Sequence, residues 1–75
     1  MPKLPMISGK EMVAALNKLG FIELRQKGSH VILRKDTAHG AIGCVVPMHR
    51  ELAPGTARGI LKQAQVTEEE FLAVL

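Results

Sequence analysis

The sequence predicts an α+β fold of order α-β-β-β-α, closed by a short C-terminal helix, with a three-stranded antiparallel sheet carrying its helices on one face. Three observations predict it. Ser8-Gly9-Lys10-Glu11 and Thr67-Glu68-Glu69-Glu70 both read as capping boxes, the signature of helix starts. Gly28-Ser29 sits as a two-residue hairpin loop between two alternating segments. Ile42 to Val46 is a third β-type segment, ended by Pro47. At 75 residues, the chain is read as a single domain over residues 1–75.

Residues 1–7 read as an extended lead-in, because Pro2 and Pro5 oppose helix. The first helix is expected over about residues 9–19. Met12, Ala15, Leu16 and Leu19 fall on one face at helical spacing, with Val13 beside them. Gly20 is placed to end it in a left-handed conformation. Two strands follow, Phe21–Lys27 and His30–Lys35. Glycine in the first loop position suits a type II′ turn. A regular register from that turn sets Lys27 opposite His30, Arg25 opposite Ile32 and Glu23 opposite Arg34. Those six residues then share an open face, while Ile22, Leu24, Val31 and Leu33 turn toward the helices. Residues 36–40 read as a loop. Met48 to Ala53 leads to a second helix opening at Pro54 or Gly55, with Ala57, Ile60, Leu61 and Ala64 inward, to about Gln65. Phe71, Leu72 and Leu75 give the terminal helix its apolar side. This order is also the layout of double-stranded-RNA-binding domains.

Composition narrows the function. A chain this small buries only about 60% of the surface it would expose unfolded. A deep pocket is therefore not expected, and a polymer suits the fold better than a small metabolite. Ten Lys and Arg oppose seven Asp and Glu, for a net charge of +3. Glu68, Glu69 and Glu70 lie near the end, so the preceding chain is more basic still, and a basic field attracts phosphate backbones. The three acids suit the positive end of a helix dipole and need no function. Two phenylalanines are the only aromatic residues, which argues against single-strand binding by base stacking. The lone Cys44 cannot form an internal disulfide. Met1 to Ile7 shows no signal-peptide pattern, and no apolar run reaches the roughly 20 residues a membrane span requires. Cytoplasm is the expected compartment.

The hairpin tip carries the sharpest chemistry. Gly28 lets the chain turn and lets a ligand approach the backbone without a Cβ in the way. Ser29 and then His30 follow on a rigid strand facing solvent. An imidazole exchanges protons near neutral pH. Lys27, Arg25 and Arg34 are placed to bind a phosphate and offset charge in a transition state. RNA carries its own nucleophile, the 2′-hydroxyl beside each phosphate. One base that removes its proton starts cleavage, and no metal or cofactor is expected. Against this stands the plain alternative that His30 is an ordinary polar residue on a solvated sheet. His49, after the third strand, is a candidate for the phosphate or for protonating the leaving oxygen, with a backbone-bonding loop role as the alternative. His39 reads as an exposed loop residue. A metal site from Cys44, His30, His39 and His49 lacks ligand spacing. On the second helix Arg58 and Lys62 share a face, and with Lys10 and Lys18 they offer a possible phosphate track.

Several segments together resemble the HicA toxin family. They are Gly20-Phe21, Arg25-Gln26-Lys27-Gly28-Ser29-His30, Val46-Pro47-Met48-His49, Gly55-Thr56 and Ile60-Leu61-Lys62-Gln63-Ala64. The resemblance runs from Ser8 to about Leu72, and Gly-Ser-His in the first hairpin is its most specific piece. It implies a double-stranded-RNA-binding-like fold and a toxin of a type II toxin–antitoxin system. Such toxins are ribosome-independent endoribonucleases that cleave mRNA and are neutralised by a HicB antitoxin covering the active face. The family's catalytic histidine falls on His30 and its glycine on Gly28. Arg50-Glu51-Leu52-Ala53 departs from the glycine or asparagine turn many members carry, which leaves open how the second helix begins. The competing expectation is a non-catalytic module of the same fold that binds RNA or an antitoxin.

Overall fold

A computed structural model describes residues 4–75. Its elements run α1 (Gly9–Lys18), β1 (Ile22–Lys27), β2 (His30–Thr37), β3 (Gly40–Pro47), α2 (Pro54–Ala64) and α3 (Glu68–Val74). The three strands form one antiparallel sheet in the order β1-β2-β3. This is the α+β architecture expected from the sequence. Of the expected lead-in, residues 1–3 lie outside the described part. Ile7 pairs with Leu52 in an isolated antiparallel bridge.

Local chemistry sets the helix ends. The Glu11 amide donates to the Ser8 hydroxyl at 3.0 Å, and the Ser8 amide donates to the Glu11 carboxylate at 3.0 Å. At the other end the amides of Gly20 and Phe21 donate to the carbonyls of Asn17 and Leu16. Gly20 has φ +100°, so the pattern is a Schellman ending. α2 begins at Pro54 with Ala53 as its cap and no side-chain hydrogen bond there. Proline at the first helical position has no amide to leave orphaned. α3 opens with the Thr67–Glu70 capping box.

The core is a continuous apolar cluster. Met12 and Leu16 of α1, Leu33 and Val46 of the sheet, and Phe21 and Phe71 are all essentially inaccessible. Val31, Leu33, Cys44 and Val46 supply the sheet's inward side chains, all from β2 and β3, whereas every residue of β1 is exposed. α3 is held down by Phe71, by the Lys18 ammonium donating to the Val74 carbonyl at 3.0 Å, and by Arg58 pairing with Glu68 at 2.8 Å.

Two features differ from the regular reading. β1 carries a bulge between Glu23 and Arg25, so Ile22 pairs with Arg34 and Glu23 with Leu33. The expected Glu23–Arg34 pair does not form. Ile22 and Leu24, expected to face the helices, are 58% and 52% exposed. An extra residue in one strand reverses the alternation beyond it, and no residue of this edge strand is buried. Residues 36–40, expected to be a loop, instead complete a second tight hairpin in which Thr37 pairs with Gly40. The Thr37 hydroxyl donates to the Gly40 carbonyl at 2.7 Å and accepts from the His39 amide at 3.2 Å. Gly40 takes φ +117°. No helix among the described residues is long and apolar enough to cross a membrane.

Candidate functional site

The turn at 28–29 builds the site. Gly28 has φ +60° and Ser29 does not have positive φ, as a type II′ turn requires. The Gln26 side-chain amide donates to the Gly28 carbonyl at 3.1 Å and braces the turn. No atom stands within 4 Å of the position a Gly28 Cβ would take, so the space above the tip is open.

His30 is the first residue of β2 and is exposed. It lies between two partners, Lys27 on β1 and Pro47 on β3. Arg25 pairs with Ile32, two residues along, which puts it diagonally across from His30 on the same face. Val31 is buried beneath, anchoring the strand that carries the imidazole. Arg34 is on this face too, but its guanidinium pairs with Asp36 at 2.9 Å. The two basic side chains beside the ring that have no acidic partner among the described residues are therefore Lys27 and Arg25.

The second half of the site comes from the 47–49 segment. The Met48 amide donates to the Ser29 carbonyl at 2.6 Å, continuing the β2–β3 ladder past its last strand pair. The Gly9 amide donates to the His49 carbonyl at 2.9 Å, and the Leu52 amide to the Ile7 carbonyl at 2.7 Å. The strand end is thus clamped between the hairpin tip and the start of α1. Gly9 permits this clamp. A Cβ there would stand 2.9 Å from the Met48 Cα and closer still to the Pro47 carbonyl oxygen. Sequence reasoning missed Gly9, reading it only as part of a capping box. The signal available was a glycine at a first helical position, where almost any residue serves.

Other candidates fall away from the tip. His39 is exposed in the far hairpin turn. Cys44 is buried, and burial pushes its thiol up to about 11. No group of three or more His, Cys, Asp or Glu side chains suited to a metal ion exists among the described residues. The expected phosphate track on the helices loses two members to structural work, since Arg58 pairs with Glu68 and Lys18 with the Val74 carbonyl.

A family model described as "HicA toxin of bacterial toxin-antitoxin" matches residues 9–66. The chain belongs to the HicA toxin family. The matched segment contains the whole tip, from Arg25 to Ser29 and His30, together with Gly9, Arg34 and His49. Membership in the family makes this a toxin-type domain of a bacterial toxin–antitoxin system, a role that implies a cognate antitoxin. No curated protein matches the chain significantly.

Proposed function

We propose that the chain is the toxin of a type II system and acts as an endoribonuclease on mRNA, with His30 as its catalytic base. The observation that carries this reading is the exposed imidazole at the hairpin tip, with Lys27 opposite and Arg25 on the diagonal. His30 removes the 2′-hydroxyl proton. The freed oxygen attacks the adjacent phosphorus, and the bond to the 5′-oxygen breaks. The departing 5′-oxygen takes up a proton from water or a nearby acid, so the products are a 2′,3′-cyclic phosphate and a 5′-hydroxyl end. Lys27 and Arg25 offset the charge that builds on the phosphate oxygens. Gly28 and Ser29 offer backbone that a ribose-phosphate can approach. Because the nucleophile belongs to the substrate, the reaction calls for no cofactor.

The shallow, open site supports a polymer substrate. A HicB-like antitoxin covering this face would exclude RNA from it, and the same sheet gives such a partner apolar ground in Val45 and Ile22, which are 39% and 58% exposed. Cytoplasm is the compartment where mRNA and antitoxin meet, and residues 1–75 serve as one domain.

Expression without an antitoxin should stop growth, and purified protein should cleave RNA in the presence of a chelator. His30→Ala should abolish both while the protein melts at the same temperature. A His30→Ala protein that cleaves RNA at the parental rate refutes the proposal. Binding that weakens with salt, without any cleavage by the parent protein, would point instead to a non-catalytic RNA-binding module.

A further inference from the structure

The 47–49 segment is held against the hairpin tip more firmly than a loop connection needs. Two backbone hydrogen bonds fix it, from Met48 to Ser29 and from Gly9 to His49, and the Leu52–Ile7 bond holds the chain just beyond it. The ladder also sets which way its side chains turn. His30 pairs with Pro47. One step further, Ser29 faces Met48, and the Met48 side chain packs against the core. β3 ends at Pro47 and His49 is exposed; the same alternation, carried two residues past the strand end, would turn it to the open face. His49 is two residues beyond the partner of His30, which makes the two histidines diagonal neighbours. Diagonal neighbours on one face of an antiparallel pair lie about 7–8 Å apart, within reach of long and aromatic side chains. Gly28, in the turn just before His30, carries no side chain, and nothing stands within 4 Å of its Cβ position.

We infer that His49 is a second catalytic residue, the general acid that protonates the departing 5′-oxygen. The inference rests on the nuclease reading and adds to it the missing proton. His30 takes the proton of the 2′-hydroxyl, the 2′-oxygen forms its bond to phosphorus, and the bond from phosphorus to the 5′-oxygen breaks. The His49 imidazolium gives its proton to that oxygen, which leaves as a neutral hydroxyl. The phosphate lies over Gly28 between the two rings. Gly9 is a positioning residue in this arrangement, because its amide and its missing Cβ hold the His49 backbone at the tip.

The test uses one oligoribonucleotide that the parent protein cleaves, and the same oligonucleotide with sulfur replacing the bridging 5′-oxygen at the cut. A thiolate leaves without protonation, so it removes the need for an acid. His49→Ala and His49→Gln should slow cleavage of the ordinary RNA by about 10²–10⁴-fold, the usual contribution of general acid–base catalysis. Both should cleave the sulfur-bridged RNA within a few-fold of the parent rate, and both should melt with the parent. His30→Ala should be slow on both substrates. The assignment is overturned if the His49 variants cleave ordinary RNA at the parent rate, or lose equally on both substrates. It is also overturned if sulfur rescues His30→Ala instead. A parent protein that cleaves neither substrate defeats the nuclease reading itself, and this inference with it.

Discussion

Replacing Gly9 with alanine should destabilise the fold, although helix propensity alone argues the reverse. Gly9 opens α1, and alanine in a helix is favoured over glycine by about 0.5–1 kcal/mol. The added Cβ, however, meets backbone. It would stand 2.9 Å from the Met48 Cα, with the Pro47 carbonyl oxygen nearer still. No rotamer change relieves a clash with main-chain atoms, and overpacking of this kind costs about 1–3 kcal/mol. If the strand end moves away, the hydrogen bond from Gly9 to the His49 carbonyl stretches, at a further cost of about 1 kcal/mol. The net expectation is a loss of about 1–3 kcal/mol. For a domain of this size each kcal/mol shifts the melting midpoint by roughly 4–8 °C. Gly59, inside α2, is the control: nothing stands within 4 Å of its Cβ position. Gly59→Ala should therefore gain about 0.5–1 kcal/mol, as propensity dictates. Thermal unfolding followed by circular dichroism, with both changes made in the His30→Ala background so that the chains accumulate, reads the two signs. A Gly9→Ala midpoint at or above its parent's would refute the close approach of α1 to the strand end.

Two further outcomes follow from groups away from the tip. The Thr67 amide, and after it the Thr67 hydroxyl, hold the Glu70 carboxyl below its usual range, with a smaller contribution from the charge of Lys35. Its folded value is depressed, so its stabilising effect is present above the unfolded carboxyl range and is lost as pH falls through the folded value. Glu70→Gln keeps a capping side chain that does not titrate, so acid melting curves should fall less steeply for the variant. Identical pH dependence of the two proteins would remove Glu70 as a contributor. Cys44 is 3% exposed, and its thiol is pushed up to about 11 by burial. At pH 8 a thiol reagent should label the native protein only as fast as it unfolds, whereas labelling at the rate of a free thiol would contradict the burial.

Much of this fold is written in local signals. The two capping boxes, the Gly20 ending and the Gly28-Ser29 turn each need only neighbouring residues, and each forms as the sequence predicts. What stays hidden depends on tertiary placement. Ile22-Glu23-Leu24-Arg25 alternates as a regular strand with an inward apolar side. Nothing local reveals that every residue of this strand stays exposed, or that the strand bulges. The second hairpin turns on Ala38-His39, which lacks the usual turn residues. It is secured by the Thr37 hydroxyl instead, so its composition points to a loop. The candidate site divides in the same way. Lys27, His30 and Arg25 were legible because a two-residue turn fixes the register beside it. The clamp on His49 was not, because it joins Gly9 to a segment some forty residues away through main-chain atoms that carry no sequence signature.

The distribution of positive charge gains meaning once its partners are known. The sequence offers ten basic residues and suggests a broad phosphate-binding surface that includes the helices. In the fold, Arg34 is engaged by Asp36 and Arg58 by Glu68, Lys18 caps the end of α3, and the Lys35 ammonium lies 5.9 Å from the Phe21 ring centroid. Exposed ion pairs of this kind add little to stability, but they reduce the local field that would otherwise hold a phosphate backbone away from the tip. Lys27 and Arg25 have no such partner among the described residues, and both flank His30. Attraction that grows with the number of phosphates contacted is salt-sensitive and blind to position. A small set of cations gathered around one imidazole works the other way: under the proposed nuclease function it would favour the one register in which a scissile phosphate reaches the ring.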